Sequence, residues 1–227
     1  MDYFIIPARS GSKRVLAKNF RPFADTSLIE ITINLAREFC APIIISTDSP
    51  QLVEKYRGVE VTILNRSEAT SSDDATAEEV ILEVIEQCNL TETDRLIYLQ
   101  PTSPMRSVES LKDALIQSKE FPDAIFLSVT ELDAELWMDV PSHLITRVGP
   151  LLGDDYNNRD SQKRTPLYKE NGNFYIIPVS TFNRLEKLSD AQCRKYITGV
   201  DEDCDINTER EFSTAESLFL ASRNRKR

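Results

Sequence analysis

The chain has 227 residues, 41% hydrophobic and 28% charged, which is enough for a full hydrophobic core in one or two domains. Its 27 Lys and Arg against 37 Asp and Glu leave a net charge of -10, which argues against nucleic acid and an anionic membrane surface as partners. No apolar run approaches the roughly 18 residues of a membrane span.

Short apolar runs alternate with helix-period segments along the chain. Tyr3–Ile6 reads as a buried strand, followed by a long basic loop over residues 7–25. Ser27 with Glu30 has the spacing of a capping box, and Leu28, Ile31, Leu35 and Phe39 then share one helical face. Pro42 opens a strand over Ile43–Thr47, and Val59–Leu64 is the next. Asp73 and Asp74 precede an amphipathic helix whose stripe is Ala77, Val80, Ile81, Val84, Ile85 and Cys88. A strand over Leu96–Leu99, a helix over 107–119 and a strand over Ala124–Val129 follow. Residues 131–171 break the rhythm, and an excursion of that length is usually functional or an oligomer contact. The pattern returns with a strand at Phe174–Ile177 and ends with a helix over Thr208–Ser222. Repeated strand–loop–helix units with continuous apolar strands predict an α/β fold with a mostly parallel sheet covered by helices on both faces. Ligands bind such sheets outside the carboxyl ends of the strands.

Charge is unevenly spread. Residues 1–22 carry five basic groups and one acid, and Arg223, Arg225, Lys226 and Arg227 crowd the last five positions. The four cysteines are far apart with no C-x-x-C pair, which argues against a zinc site. The start of the chain has no signal-peptide core, so reduced thiols in a cytoplasm are expected. His143 is the single histidine, which excludes a multi-His metal centre.

Four motifs carry chemistry. The first, Pro7-Ala8-Arg9-Ser10-Gly11-Ser12-Lys13-Arg14 with Lys18 and Asn19, leaves a strand with small residues, so backbone amides can approach a ligand. Amides with Arg9, Lys13 and Lys18 suit a polyphosphate, and a solvated basic loop is the bland alternative. The second, Leu99-Gln100-Pro101-Thr102-Ser103-Pro104-Met105-Arg106, is a polar turn stiffened by two prolines. The third runs from Asp201 to Asn207. Strand spacing would put Asp203, Asp205 and Asn207 on one face, an oxygen set that suits Mg2+ beside phosphates; a solvated acidic loop is the alternative. The fourth, Tyr168-Lys169-Glu170-Asn171-Gly172-Asn173-Phe174-Tyr175, enters an aromatic strand whose rings could line a sugar pocket or sit in the core.

In this order the motifs, with Ser46-Thr47-Asp48 after the second strand, resemble the cytidylyltransferases that make CMP-activated 2-keto sugar acids. The likeness is to the CMP-N-acylneuraminate (CMP-sialic acid) synthetases and their legionaminic and pseudaminic acid relatives, and it spans essentially the whole chain. The resemblance implies a Rossmann-like nucleotidyltransferase domain over 1–227, with 131–171 inserted for dimerisation. It implies CTP and a nonulosonic 2-keto sugar acid as substrates, Mg2+ or Mn2+ as cofactor, and a cytoplasmic homodimer with no nucleic-acid or membrane partner. By position, Ala8, Arg9, Ser10, Gly11, Ser12, Lys13, Lys18, Asn19, Arg66 and Ser72 would hold the nucleotide. Gln100, Tyr168, Asn171 and Phe174 would lie near the sugar, and Arg159 or Arg164 would reach a partner subunit's site. Asp205 would bind the metal with Asp203 or Asn207, and Arg9, Lys18 and Asp205 would carry catalysis.

The chain departs from the pattern at Ser10, usually Gly, at Leu16, usually Pro, and at Asn207, where a second carboxylate usually stands. A transferase for Kdo or 8-amino-Kdo shares the chemistry, and a non-catalytic nucleotide-binding protein on this fold is the reading from a different class.

Overall fold

The computed structural model describes residues 1–11, 15–56, 60–134, 136–141, 144–148, 165–185 and 193–225. A seven-stranded sheet organises the chain in the order β3-β2-β1-β4-β8-β5-β9. Its strands are β1 (Asp2–Pro7), β2 (Ile43–Thr47), β3 (Thr62–Asn65), β4 (Arg95–Tyr98), β5 (Ile125–Leu132), β8 (Leu167–Pro178) and β9 (Cys193–Ile197). Every pairing is parallel except those of β8, which runs antiparallel to both β4 and β5. The expected mostly parallel sheet is therefore present, with one reversed strand inside it.

Both faces are covered because strand residues alternate sides. On one side Phe4, Ile6 and Ile45 meet Ile29 and Ile33 of α1 (Leu28–Arg37), Leu52 of α2 (Pro50–Lys55) and Leu111 of α5 (Val108–Ser118). On the other, Ile5, Ile44 and Leu96 meet Ile81, Val84 and Ile85 of α4 (Ala77–Gln87) and Phe182 of α6 (Val179–Arg184). A single turn, α3 (Glu68–Ser71), precedes α4. A third cluster joins Val15, Phe23 and Leu28 to Ile206, Phe212 and Ala215, so α7 (Glu209–Arg225) packs on the basic loop near the start of the chain.

Several boundaries differ from expectation for local reasons. The cap of α4 is Thr76, two residues after Asp74. Thr76 and Glu79 form a full capping box, in which each side chain takes the other residue's backbone N–H. At α1 only half a box forms: Ser27 accepts from the Glu30 N–H, while the Glu30 carboxylate is drawn to Lys55 and Tyr56. The strand expected over Val59–Leu64 begins at Thr62, and Val59 lies outside the described residues. β9, an exposed strand at the sheet edge, and the short α2 were not expected from the pattern.

The 131–171 segment is shorter as an excursion than the composition suggests. β5 extends to Leu132 and β8 begins at Leu167, so both ends belong to the main sheet. Between them β6 (Trp137–Val140) and β7 (Leu144–Arg147) form an antiparallel hairpin, and Trp137, Met138 and Ile145 are exposed on it. His143 lies outside the described residues. Among the described residues no helix is long and apolar enough to cross a membrane.

Candidate active site

The carboxyl ends of β1, β2, β3 and β4 lie side by side, and four chain segments leave the sheet there. They are bound to one another before they reach any ligand. The Ala8 N–H donates to the Ser46 carbonyl at 2.9 Å, and the Thr47 hydroxyl donates to the Ala8 carbonyl at 2.6 Å. Ser10 donates both its N–H and its hydroxyl to Asp48, at 2.6 and 2.8 Å. The Arg66 N–H donates to the Thr47 carbonyl at 3.0 Å and its Nε to the Ser46 hydroxyl at 2.9 Å. Arg66 is mostly buried, and burial pulls its guanidinium below the usual arginine range.

These segments enclose a polar cleft of about 370 Å³ lined by Arg9, Lys18, Asn19, Arg66, Ser72 and Gln100, among others. The structure thus brings together six residues that the sequence assigns to nucleotide or sugar. Arg9 donates to the Ser72 carbonyl at 3.0 Å and pairs with Asp73 at 2.8 Å. Asn19 is buried at the cleft, and its Oδ1 has no hydrogen-bond partner among the described residues. A buried acceptor left unpaired costs stability, which fits an atom kept for a ligand's donor. Gly11 is exposed with open space around it, and Ser12 and Lys13 lie outside the described residues.

The acidic segment reaches this cleft through its backbone. The Ile206 N–H donates to the Thr102 carbonyl at 3.0 Å, and the Ile206 carbonyl accepts from Lys18 Nζ at 2.6 Å. Thr102 and Lys18 both line the cleft, so the segment is anchored to it at Ile206, while Asp205 and Asn207 on either side line a further cavity. The segment is not a strand as expected, yet Asp203, Asp205 and Asn207 still open onto that one cavity. Asp203 pairs with Lys169 at 2.7 Å, while the Asn207 side-chain amide donates to Asp205 at 2.6 Å. Among the described residues no group of three His, Cys, Asp or Glu could hold a metal. The exposed Asp205 carboxylate still fits a hard cation such as Mg2+, which takes one or two protein oxygens and the rest from phosphates and water.

A second pocket of about 440 Å³ adjoins the cleft and shares Ala77, Tyr98 and Gln100 with it. Its further lining includes Glu78, Leu127, Glu170 and Tyr175. β8 places these last two. Tyr175 faces Leu127 but Glu170 faces Val129, so β8 bulges between them. At the bulge Gly172 has φ +68, and a Cβ there would stand 2.7 Å from Gln100 Oε1. The bulge turns Glu170 and Tyr175 to one side, and the Tyr175 hydroxyl donates to Glu170 at 2.9 Å.

Not every sugar-assigned residue faces this pocket. Phe174 is fully buried in the core against Tyr196. The Asn171 amide is buried and donates to the Thr130 and Thr198 hydroxyls at 2.9 and 2.7 Å, so it braces the strand from behind. The Tyr168 ring lies under Lys195 at 3.7 Å. Arg159 and Arg164 lie outside the described residues. Tyr98 and Glu78 were missed, and Glu170 was not expected beside Tyr175, because a period-two reading puts those two on opposite faces. The only signal for the bulge was the Asn171-Gly172 pair.

Arg106 fastens the second motif to the fourth. Its buried guanidinium donates to the Asn173 carbonyl and, at 2.8 Å, to the Gln100 carbonyl. Burial pulls its pKa down to about 9, with the Glu202 carboxylate opposing that fall.

Comparison with known proteins gives the same picture. Residues 3–146 match the family model described as Cytidylyltransferase. The chain is 29% identical over 223 residues to the CMP-N,N'-diacetyllegionaminic acid synthase of Legionella pneumophila, covering 95% of this chain and 94% of that one. It is 28% identical over 220 residues to the N-acylneuraminate cytidylyltransferase of Streptococcus agalactiae, covering 92% of this chain and 51% of that one, so it spans about half of that relative. In fold it resembles a CMP:2-keto-3-deoxy-manno-octonic acid synthetase solved with CTP, at TM-score 0.73 and 14% identity, covering 97% of this chain and 99% of that one. With the model matched over most of its length, the chain is a nucleotidyltransferase and belongs to the cytidylyltransferase family.

Proposed function

We propose that the chain activates a nonulosonic, sialic-acid-like 2-keto sugar acid with CTP, giving the CMP-sugar acid and diphosphate. The observation that carries this reading is the pair of adjoining pockets with a shared wall. One is polar and holds Arg9, Lys18 and Arg66, the cations a triphosphate needs. The other is more apolar and opens onto it at Gln100. The names of the Legionella and streptococcal relatives support the choice of acceptor.

In this reading the anomeric hydroxyl attacks the α-phosphorus of CTP in line with the departing diphosphate. An O–P bond forms to the sugar, the bond from the α-phosphorus to the bridging oxygen breaks, and the hydroxyl proton is released to solvent. Catalysis is mainly positioning and charge stabilisation. Arg9 and Lys18 neutralise the charge that gathers on the diphosphate, Arg66 fixes the cleft floor, and Gln100 orients the acceptor. Mg2+ held by Asp205, with Asp203 or Asn207 completing the set, would polarise the phosphates.

The test is diphosphate release over a panel of CTP, UTP and GTP with neuraminic, legionaminic, pseudaminic and Kdo acids, with and without chelator. Release with CTP and a nonulosonic acid, lost on chelation and restored by Mg2+, is the expected result. Release with Kdo alone would favour the second reading, which the fold likeness to an octonic acid synthetase motivates. No release with any pair would favour a binding protein.

We further propose a homodimer through the β6–β7 hairpin, supported by exposed Trp137, Met138 and Ile145. Trp137→Glu is expected to shift the protein from dimer to monomer in sedimentation velocity. A sedimentation coefficient unchanged from the wild type would move the interface elsewhere.

A further inference from the structure

Tyr98 is the last residue of β4 and stands in the wall common to the two pockets. It is 5% exposed. Its ring meets Tyr175 edge-on at 6.2 Å, which leaves little freedom to rotate. Arg66 acts on the hydroxyl from the nucleotide side and Glu78 from the other. Yet among the described residues the hydroxyl makes no hydrogen bond. Tyr175 in the same pocket satisfies its hydroxyl with Glu170, so an unsatisfied phenol is not a general property of this wall.

The ring is packed away, but the unpaired hydroxyl is not among the fully buried polar atoms, so it keeps a donor at the cavity wall that a phenylalanine would lack. Burial pushes the Tyr98 phenol up to about 12, so at neutral pH it is a proton donor. The two reacting molecules must meet where their pockets meet. The acceptor's reacting end crosses from one pocket to the α-phosphorus in the other, past Tyr98.

We propose that the Tyr98 hydroxyl donates a hydrogen bond to an oxygen of the sugar acid at this crossing, holding its reacting end toward the nucleotide. This rests on the acceptor reading above and adds to it a residue that contacts the substrate.

The test is Tyr98→Phe, which removes one oxygen and keeps the ring. Its melting temperature is expected to equal or exceed that of the wild type, because no folded-state hydrogen bond is lost. The KM for CTP is expected to stay within about twofold, while kcat/KM for the sugar acid falls about tenfold, the worth of one hydrogen bond. An unchanged kcat/KM for the acid, with the wild type active, would overturn this assignment alone. So would a lowered melting temperature with both substrates affected alike, since that marks a structural role. A wild type that releases no diphosphate with any acid would overturn the proposed function, and the assignment with it.

Discussion

Arg9→Ala is expected to lower kcat/KM about 10²–10³-fold, the usual loss when one preorganised donor to developing charge is removed. Its melting temperature is expected to stay close to that of the wild type. Arg9 is partly exposed, and its ion pair with Asp73 is of the kind that contributes little to stability. In the free protein the guanidinium rests on Asp73 and the Ser72 carbonyl. A triphosphate, carrying more negative charge than a single carboxylate, competes for it with advantage, so the contact holds the side chain in place until the nucleotide arrives. Steady-state kinetics beside thermal denaturation decide the matter. Near-wild-type turnover would remove Arg9 from the mechanism. A collapse of stability would make it a structural residue instead.

Gly172→Ala should act through geometry. The left-handed backbone at φ +68 costs an alanine about 1–2 kcal/mol. The new methyl also meets Gln100 Oε1 at 2.7 Å and the Ser103 hydroxyl at 3.2 Å. Gln100 must move, and it is one of the residues that both pockets share. Reduced stability together with a raised KM for the acceptor is expected. Adding Gln100→Ala removes the clash but not the backbone strain, so the double variant should recover part of the stability and none of the acceptor binding. If the two losses simply add, Gln100 is not what the methyl displaces.

The parallel half of the fold was legible because each of its strands is a continuous apolar run followed by a helix with clear periodicity. The basic cleft was legible in part for a related reason: Arg9 lies just beyond the end of β1, Lys18 follows in the same basic loop, and Arg66, which the family resemblance supplied, lies just beyond β3. The acceptor pocket was not. Glu170 and Tyr175 meet only through a bulge, and two-residue alternation cannot anticipate one. Phe174 and Asn171 looked like pocket residues by motif, but their side chains point into the packed interior. The acidic segment was found by composition and misread in shape. Its arrangement depends on backbone bonds from Ile206 to Lys18 and Thr102, and the first of these joins residues 188 positions apart.

The reversed strand has a consequence for how this enzyme can diversify. Parallel strands offer the site their last residues, where the chain has already left the interior. β8 offers its beginning. Residues 167–170 are half-buried or exposed, whereas Phe174, Ile176 and Ile177 further along the same strand are fully packed. One continuous strand is thus divided into an exposed stretch that reaches the acceptor pocket at Glu170 and a packed stretch that holds the sheet and lends the pocket Tyr175. Acceptor preference can drift within the first while the second keeps the fold, and neither needs a loop to be lengthened or replaced.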